Sequence, residues 1–211
     1  MKQITAIIFI LLQSFLNFGQ LNTFIVDDYP ITENMLKKRK SEIKINGLAT
    51  SDQVWFTNKN LNQTIIIYIY TDYHRVRISH FKNDEILKQV IEGLEFNTEN
   101  GGLATFQQKE KSINSFIEKA NEIPSKYFYS DKGMHIGTKK SWAIHIYGNP
   151  HKYQKINNYE IFIWEFVGDI TINKHITIKN KVFAKNSFGH QITMIFKNGK
   201  LIGHILYNAI P

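Results

Sequence analysis

The sequence predicts an α+β fold, a mostly antiparallel sheet with two or three packed helices, and three features predict it. Within Gln63 to Tyr70, the run Thr64 to Tyr70 is β-branched or aromatic throughout and apolar on both sides, the pattern of a strand at the centre of a sheet. Asn198-Gly199 separates two alternating stretches and favours the left-handed backbone angles of a tight hairpin. Thr105 and Gln108 form a Thr-x-x-Gln pair at the start of a stretch in which Phe106, Ile113, Phe116, Ile117 and Ala120 recur at helical spacing. This is a capping box opening an amphipathic helix.

Taken in order, residues 1–19 have the layout of a secretory signal peptide. Lys2 is followed by the apolar stretch Ile4 to Leu12, then Gly19 as the small residue before a cut. Gln13, Ser14 and Asn17 interrupt the run well short of the roughly 20 apolar residues of a spanning helix. The expectation is an exported bacterial protein, periplasmic or secreted, with no transmembrane span after cleavage. The chain then divides near the polar, glycine-bearing stretch Asn97 to Gly102 into an N-terminal α+β half, residues 20–100, and a C-terminal half, 101–211. In the first half a short helix starts at Thr32, and Glu42 to Leu48 alternates as a strand. Val54 to Phe56 turns through Asn58-Lys59-Asn60 into the central strand at Gln63. Tyr73 to Phe81 places His74, Val76, Ile78 and His80 on one side and Arg75, Arg77 and Ser79 on the other. A helix around Asp84 to Ile91 ends at Gly93.

In the second half the capped helix is closed by Pro124. A further helix opens at Gly137-Thr138, with Trp142, Ala143 and Ile146 as its buried side and Gly148 and Pro150 as its stop. Asn157-Asn158 closes a hairpin pairing Lys155 with Glu160, Tyr153 with Phe162 and His151 with Trp164, and lining one side with Phe162, Trp164 and Phe166. Asn198-Gly199 closes another, pairing Phe196 with Leu201, Met194 with Gly203 and Ile192 with Ile205, and these residues are expected to form the other apolar layer. Thr171 to Val182 alternates as a further strand. Gly137-Thr138, then Ala143-Ile144-His145-Ile146-Tyr147-Gly148-Asn149-Pro150, then Tyr159 to Trp164 resemble the helix-plus-antiparallel-strand modules of the BamE and β-lactamase-inhibitor-protein type. The resemblance covers about residues 137–166. It implies an envelope or secreted binding module that works through a protein surface and carries no catalytic residues.

Composition narrows the chemistry. The chain has no cysteine, which excludes a disulfide framework, thiolate metal ligation, thiol catalysis and lipoprotein anchoring. Its formal charge is +8, yet Arg39, Arg75 and Arg77 are the only arginines. Arginine is the residue suited to bidentate phosphate and base contacts, so no specific nucleic-acid partner is expected. The dense basic run Lys37 to Lys40 reads as a solvated helical face; with Arg75 and Arg77 it is also the basis of an alternative, polyanion or membrane-surface binding. The eight histidines fit no metal-binding spacing, and neither metal nor cofactor is expected. His190 and His204 fall on opposite sides of the second hairpin in the register above.

No nucleophile elbow and no phosphate-cradling loop is present. The expected function is therefore non-catalytic: binding of an unknown protein partner through an exposed sheet face bearing Tyr70, Tyr73, Arg75, Arg77 and Trp164. Aromatic and arginine side chains concentrate interface energy. The catalytic alternative is a hydrolase whose site is assembled from Asp72, His74 and His190. It requires two histidines and a carboxylate to converge.

Overall fold

The computed structural model describes residues 27–31, 33–36, 43–50, 53–69, 76–85, 87–167 and 189–207. The readings made for residues 1–19, Lys37 to Lys40, Tyr70 to Arg75 and Thr171 to Val182 lie outside these. The protein is α+β, with four α-helices among the described residues: α1 (Glu33–Leu36), α2 (Lys88–Glu92), α3 (Phe106–Glu118) and α4 (Lys140–Tyr147). The strands are β1 (Lys44–Ile45), β2 (Leu48–Thr50), β3 (Gln53–Asn58), β4 (Gln63–Ile69), β5 (Val76–Lys82), β6 (Phe96–Thr98), β7 (Asn121–Glu122), β8 (Lys152–Ile156), β9 (Tyr159–Val167), β10 (Gly189–Lys197) and β11 (Lys200–Tyr207). Eight of them form one sheet in the order β7-β3-β4-β5-β11-β10-β9-β8, antiparallel except for the short β3–β7 pair. The sheet takes strands from both sides of residue 100, joined where β11 pairs with β5. A small sheet, β1-β2-β6, stands apart.

Strand alternation gives the large sheet two sides. On the first, Val54, Phe56, Ile65, Ile67, Ile78, Trp164, Ile192 and Met194 pack beneath residues 29–36, Phe128, Met134 and α4. On the second, Trp55, Ile66, Phe81, Ile161, Ile195 and Ile205 pack beneath α2 and α3. The capping box is present in both directions, Gln108 N–H to Thr105 Oγ1 at 3.3 Å and Thr105 N–H to Gln108 Oε1 at 2.8 Å. It fixes α3 so that Ile113, Phe116 and Ile117 face the sheet, and Phe116 stacks on Phe96 at 4.6 Å.

Four expectations need correction. Glu42 to Leu48 is not one strand: Asn46 and Gly47 adopt left-handed angles (φ 50° and 75°) and fold β1 back on β2, a turn this dipeptide favours. The two hairpins do not supply opposing layers, because β9 and β10 are neighbours with Trp164 opposite Ile192 and Phe162 opposite Met194. Helix α4 starts at Lys140 and buries Ala143 and Tyr147, leaving Trp142 45% exposed. Finally, the Asn198-Gly199 hairpin keeps Phe196 opposite Leu201 but then shifts, so that Ile195 faces Gly203, Met194 faces His204 and Ile192 faces Leu206. The extra residue is a β-bulge, and beyond it every β11 side chain changes sides. Gly203 suits the spot: a Cβ there would lie 2.6 Å from Leu87 Cδ1, at the foot of α2.

Candidate functional site

The bulge brings histidines together. His204 stands directly across from His80 on β5, on the first side of the sheet, which His190 shares through its register with Phe166 and its alternation with Ile192 and Met194. Into this pair reaches Tyr29, whose hydroxyl lies 2.8 Å from Nδ1 of His80 and 2.8 Å from Nδ1 of His204. His80 Nε2 lies 2.9 Å from Gln63 Oε1. That oxygen only accepts, so His80 carries its proton on Nε2 and accepts at Nδ1 from the tyrosine hydroxyl. The hydroxyl oxygen then accepts from Nδ1–H of His204, whose Nε2 is left as a buried lone pair with no partner. The result is a directed chain, His204 to Tyr29 to His80 to Gln63, with every tautomer assigned by its neighbour.

A carboxylate lies close by. Asp27 is buried and accepts from the Tyr147 hydroxyl at 2.7 Å, from Lys132 N–H at 3.1 Å and from Asp28 N–H at 3.0 Å. Burial raises its pKa against the lowering effect of these bonds, and burial pushes Tyr29 and Tyr147 well above the usual phenol value. Burial likewise lowers His80 well below the imidazole range, His204 to about 3 and His190 to about 4. All three histidines are therefore neutral at physiological pH. Tyr29, His80 and His204 are fully buried, so no substrate reaches them. Two histidines thus converge on Tyr29 beneath the surface, but Asp27 bonds Tyr147 and backbone N–H groups, so His80, His204 and Asp27 do not form the two-histidine-and-carboxylate set that a hydrolase requires. Chemically the cluster is a fastener that holds residues 27–31 on the sheet. Asp72 and His74 lie outside the described residues.

The second side of the sheet differs. Beside α2, whose Lys88, Gln89 and Glu92 form one wall, a trough of about 360 Å³ runs over residues of β8–β11. Its walls alternate aliphatic and polar groups, among them Ile163, Gln154, Gln191, Thr193 and Tyr207. Arg77 forms the rim on the α2 side. Its guanidinium donates to the Gln89 carbonyl at 2.9 Å and lies over Gly93, where a Cβ would come within 2.0 Å of Arg77 Cζ. Thus Arg77 ties α2 to the sheet while bordering the trough.

The trough opens onto β8, the sheet's outer strand, whose five residues are all exposed. Tyr153 and Ile156 there are two of the five large apolar side chains most open to solvent among the described residues. Of the other residues expected on a binding face, Tyr70, Tyr73 and Arg75 lie outside the described residues. Trp164 does not belong to it: it is fully buried, packs against Tyr147 and Phe162 and donates to the Gly148 carbonyl at 3.1 Å. Gln154, Gln191 and Thr193 were missed because single polar residues on alternating strands signal exposure without indicating use. Among the described residues no cluster of three or more metal-ligating side chains exists, and no helix is long and apolar enough to cross a membrane. No protein-family description, no curated protein and no solved structure matches the chain.

Proposed function

We propose that the chain is an exported, non-catalytic module that binds a protein partner through the trough on the second side of its sheet and the adjoining strand β8. The supporting observation is the trough itself, which runs between α2 and strands β8–β11 and ends in an exposed edge strand. An outermost strand leaves every second backbone N–H and C=O without a strand partner, and such edges accept an extended segment of another protein. The trough supplies apolar contact from Ile156 and Ile163 and directional bonds from Gln191 and Thr193. The resemblance of residues 137–166 to secreted binding modules supports the same reading.

The test is a pull-down from native envelope and culture-medium fractions with the full chain, its Thr193→Arg variant and a Tyr153→Glu/Ile156→Glu variant, washed at high salt. One stoichiometric protein retained by the wild type and lost from both variants is the expected result. A partner retained equally by all three, or none, overturns the reading.

A further inference from the structure

We propose that a separate cleft at the start of α4 binds a small anionic ring compound, its ring face stacked on Trp142 and its phosphate or carboxylate held beside Lys139. The cleft, about 640 Å³, lies between the Gly133–Gly137 loop and the first turns of α4, with His135, Lys139, Ser141, Trp142 and His145 on its walls. That volume falls in the range of small-molecule sites. Trp142 sits on the outward side of α4, and its indole contributes nothing to the core. The indole lies against His145, centroids 5.2 Å apart and tilted 31°, which holds the exposed ring in place. Across the cleft His135 makes the matching pair with Tyr129 at 4.7 Å. Its Nδ1 lies 3.0 Å from the Gly133 carbonyl, which only accepts, so the ring donates there and its orientation is fixed.

The walls are held in advance of any ligand. Gly137 N–H donates to the Leu201 carbonyl at 2.7 Å, Leu201 N–H to the Thr138 carbonyl at 2.8 Å and Lys140 N–H to the Gly199 carbonyl at 2.9 Å. The loop is thereby bound to the β10–β11 turn, and a preformed site loses little ordering entropy on binding. The charge is one-sided: Lys139 lines the cleft and no Asp or Glu does. Helix α4 begins at Lys139 without a side-chain cap, which leaves the positive end of its dipole beside the lysine. Flat aromatic walls select a ring face, and the absence of carboxylates selects against cations and in favour of an anion. Phosphate on a nucleotide and carboxylate on an acidic sugar share this chemistry.

Of the three tryptophans, Trp55 and Trp164 are buried, so acrylamide quenching of the full chain reports on Trp142. The chain is titrated with adenosine monophosphate, with digalacturonate and with neutral cellobiose. The expected result is saturable protection of Trp142 by one or both anions, weakened at least about tenfold in Lys139→Glu and little changed in Lys155→Glu. Protection by the nucleotide alone identifies the phosphate source, by digalacturonate alone the carboxylate source. Equal protection by cellobiose, or none by either anion up to about 5 mM, overturns the proposal. Trp142→Phe, with folding verified by circular dichroism, abolishes the signal if the assignment to this indole is right.

Discussion

The two sides of the large sheet use their polar residues in opposite ways. On the covered side, Asp27, Tyr29, His80, His204 and Tyr147 are the residue types from which catalytic sites are built, yet each is spent on a neighbour inside the protein. On the open side the strands contribute amides and hydroxyls, Gln154, Gln191, Thr193 and Tyr207, interleaved with isoleucines, and Arg77, Lys88 and Glu92 stand along the α2 wall. Reactive residue types therefore mark where this chain is fastened. Its bland strand residues line the trough that we propose as the docking surface. A buried polar group without a partner costs far more than a satisfied one returns, and the chain of bonds on the covered side leaves His204 Nε2 as its one unpartnered end.

The sharpest way to break this comparison is to exchange a covered aromatic and an open one. Trp164→Ala is expected to cost about 3–5 kcal/mol, the range for emptying a buried aromatic site, whereas Trp142→Ala should stay within about 0.5 kcal/mol. Urea unfolding followed by circular dichroism measures both, and equal losses would refute the assignment of sides.

Next in size is Tyr29→Phe. It leaves Nδ1 of both His80 and His204 buried without a partner, for an expected loss of about 2–4 kcal/mol. A change no larger than that of an exposed Tyr153→Phe would show that the fastener does not hold.

The pH dependence is smaller for any one histidine over one pH unit and has a definite sign. His80, His190 and His204 have folded values below the unfolded 6.5, so the unfolded chain binds more protons and stability falls as pH drops below 6.5. Each histidine contributes about 1.4 kcal/mol per pH unit until its folded value is reached, about 4 for His190 and about 3 for His204. Asp27, raised by burial, acts oppositely, adding stability as pH falls through its folded value toward the unfolded 3.8. Urea midpoints that stay flat from pH 7 to 5 would contradict the histidine assignment. The smallest effect is that of Thr193→Arg in the trough, within about 0.5 kcal/mol on stability while partner capture is lost.

Much of the fold is legible in residues. The β4 run, the capping box at Thr105 and Gln108, the paired set Lys155–Glu160 and Tyr153–Phe162 and the first pair of the last hairpin all follow from local rules. What is not legible is set by single-residue events. The bulge before Gly203 moves His204 to the side of His80, and no alternation pattern announces it, because Ile202, Ile205 and Leu206 suit either side. Asn46-Gly47 was passed over because its flanking strands are two and three residues long, too short to show a period. Trp142 was placed inside because three apolar neighbours allow several faces in a helix of eight residues, and burying Ala143 and Tyr147 turns the indole about 100° away. Tyr29 carries no local signal at all, since its partners are 51 and 175 residues distant.

The claim that the histidines fasten the fold is tested most directly by long-range nitrogen–proton NMR of the imidazoles in the full chain. Two buried rings are predicted, His80 protonated at Nε2 and His204 at Nδ1, both neutral and unchanged between pH 8 and 5. A ring at either position that titrates near 6.5, or that exchanges between tautomers, would contradict the account and return these histidines to the list of candidate catalysts.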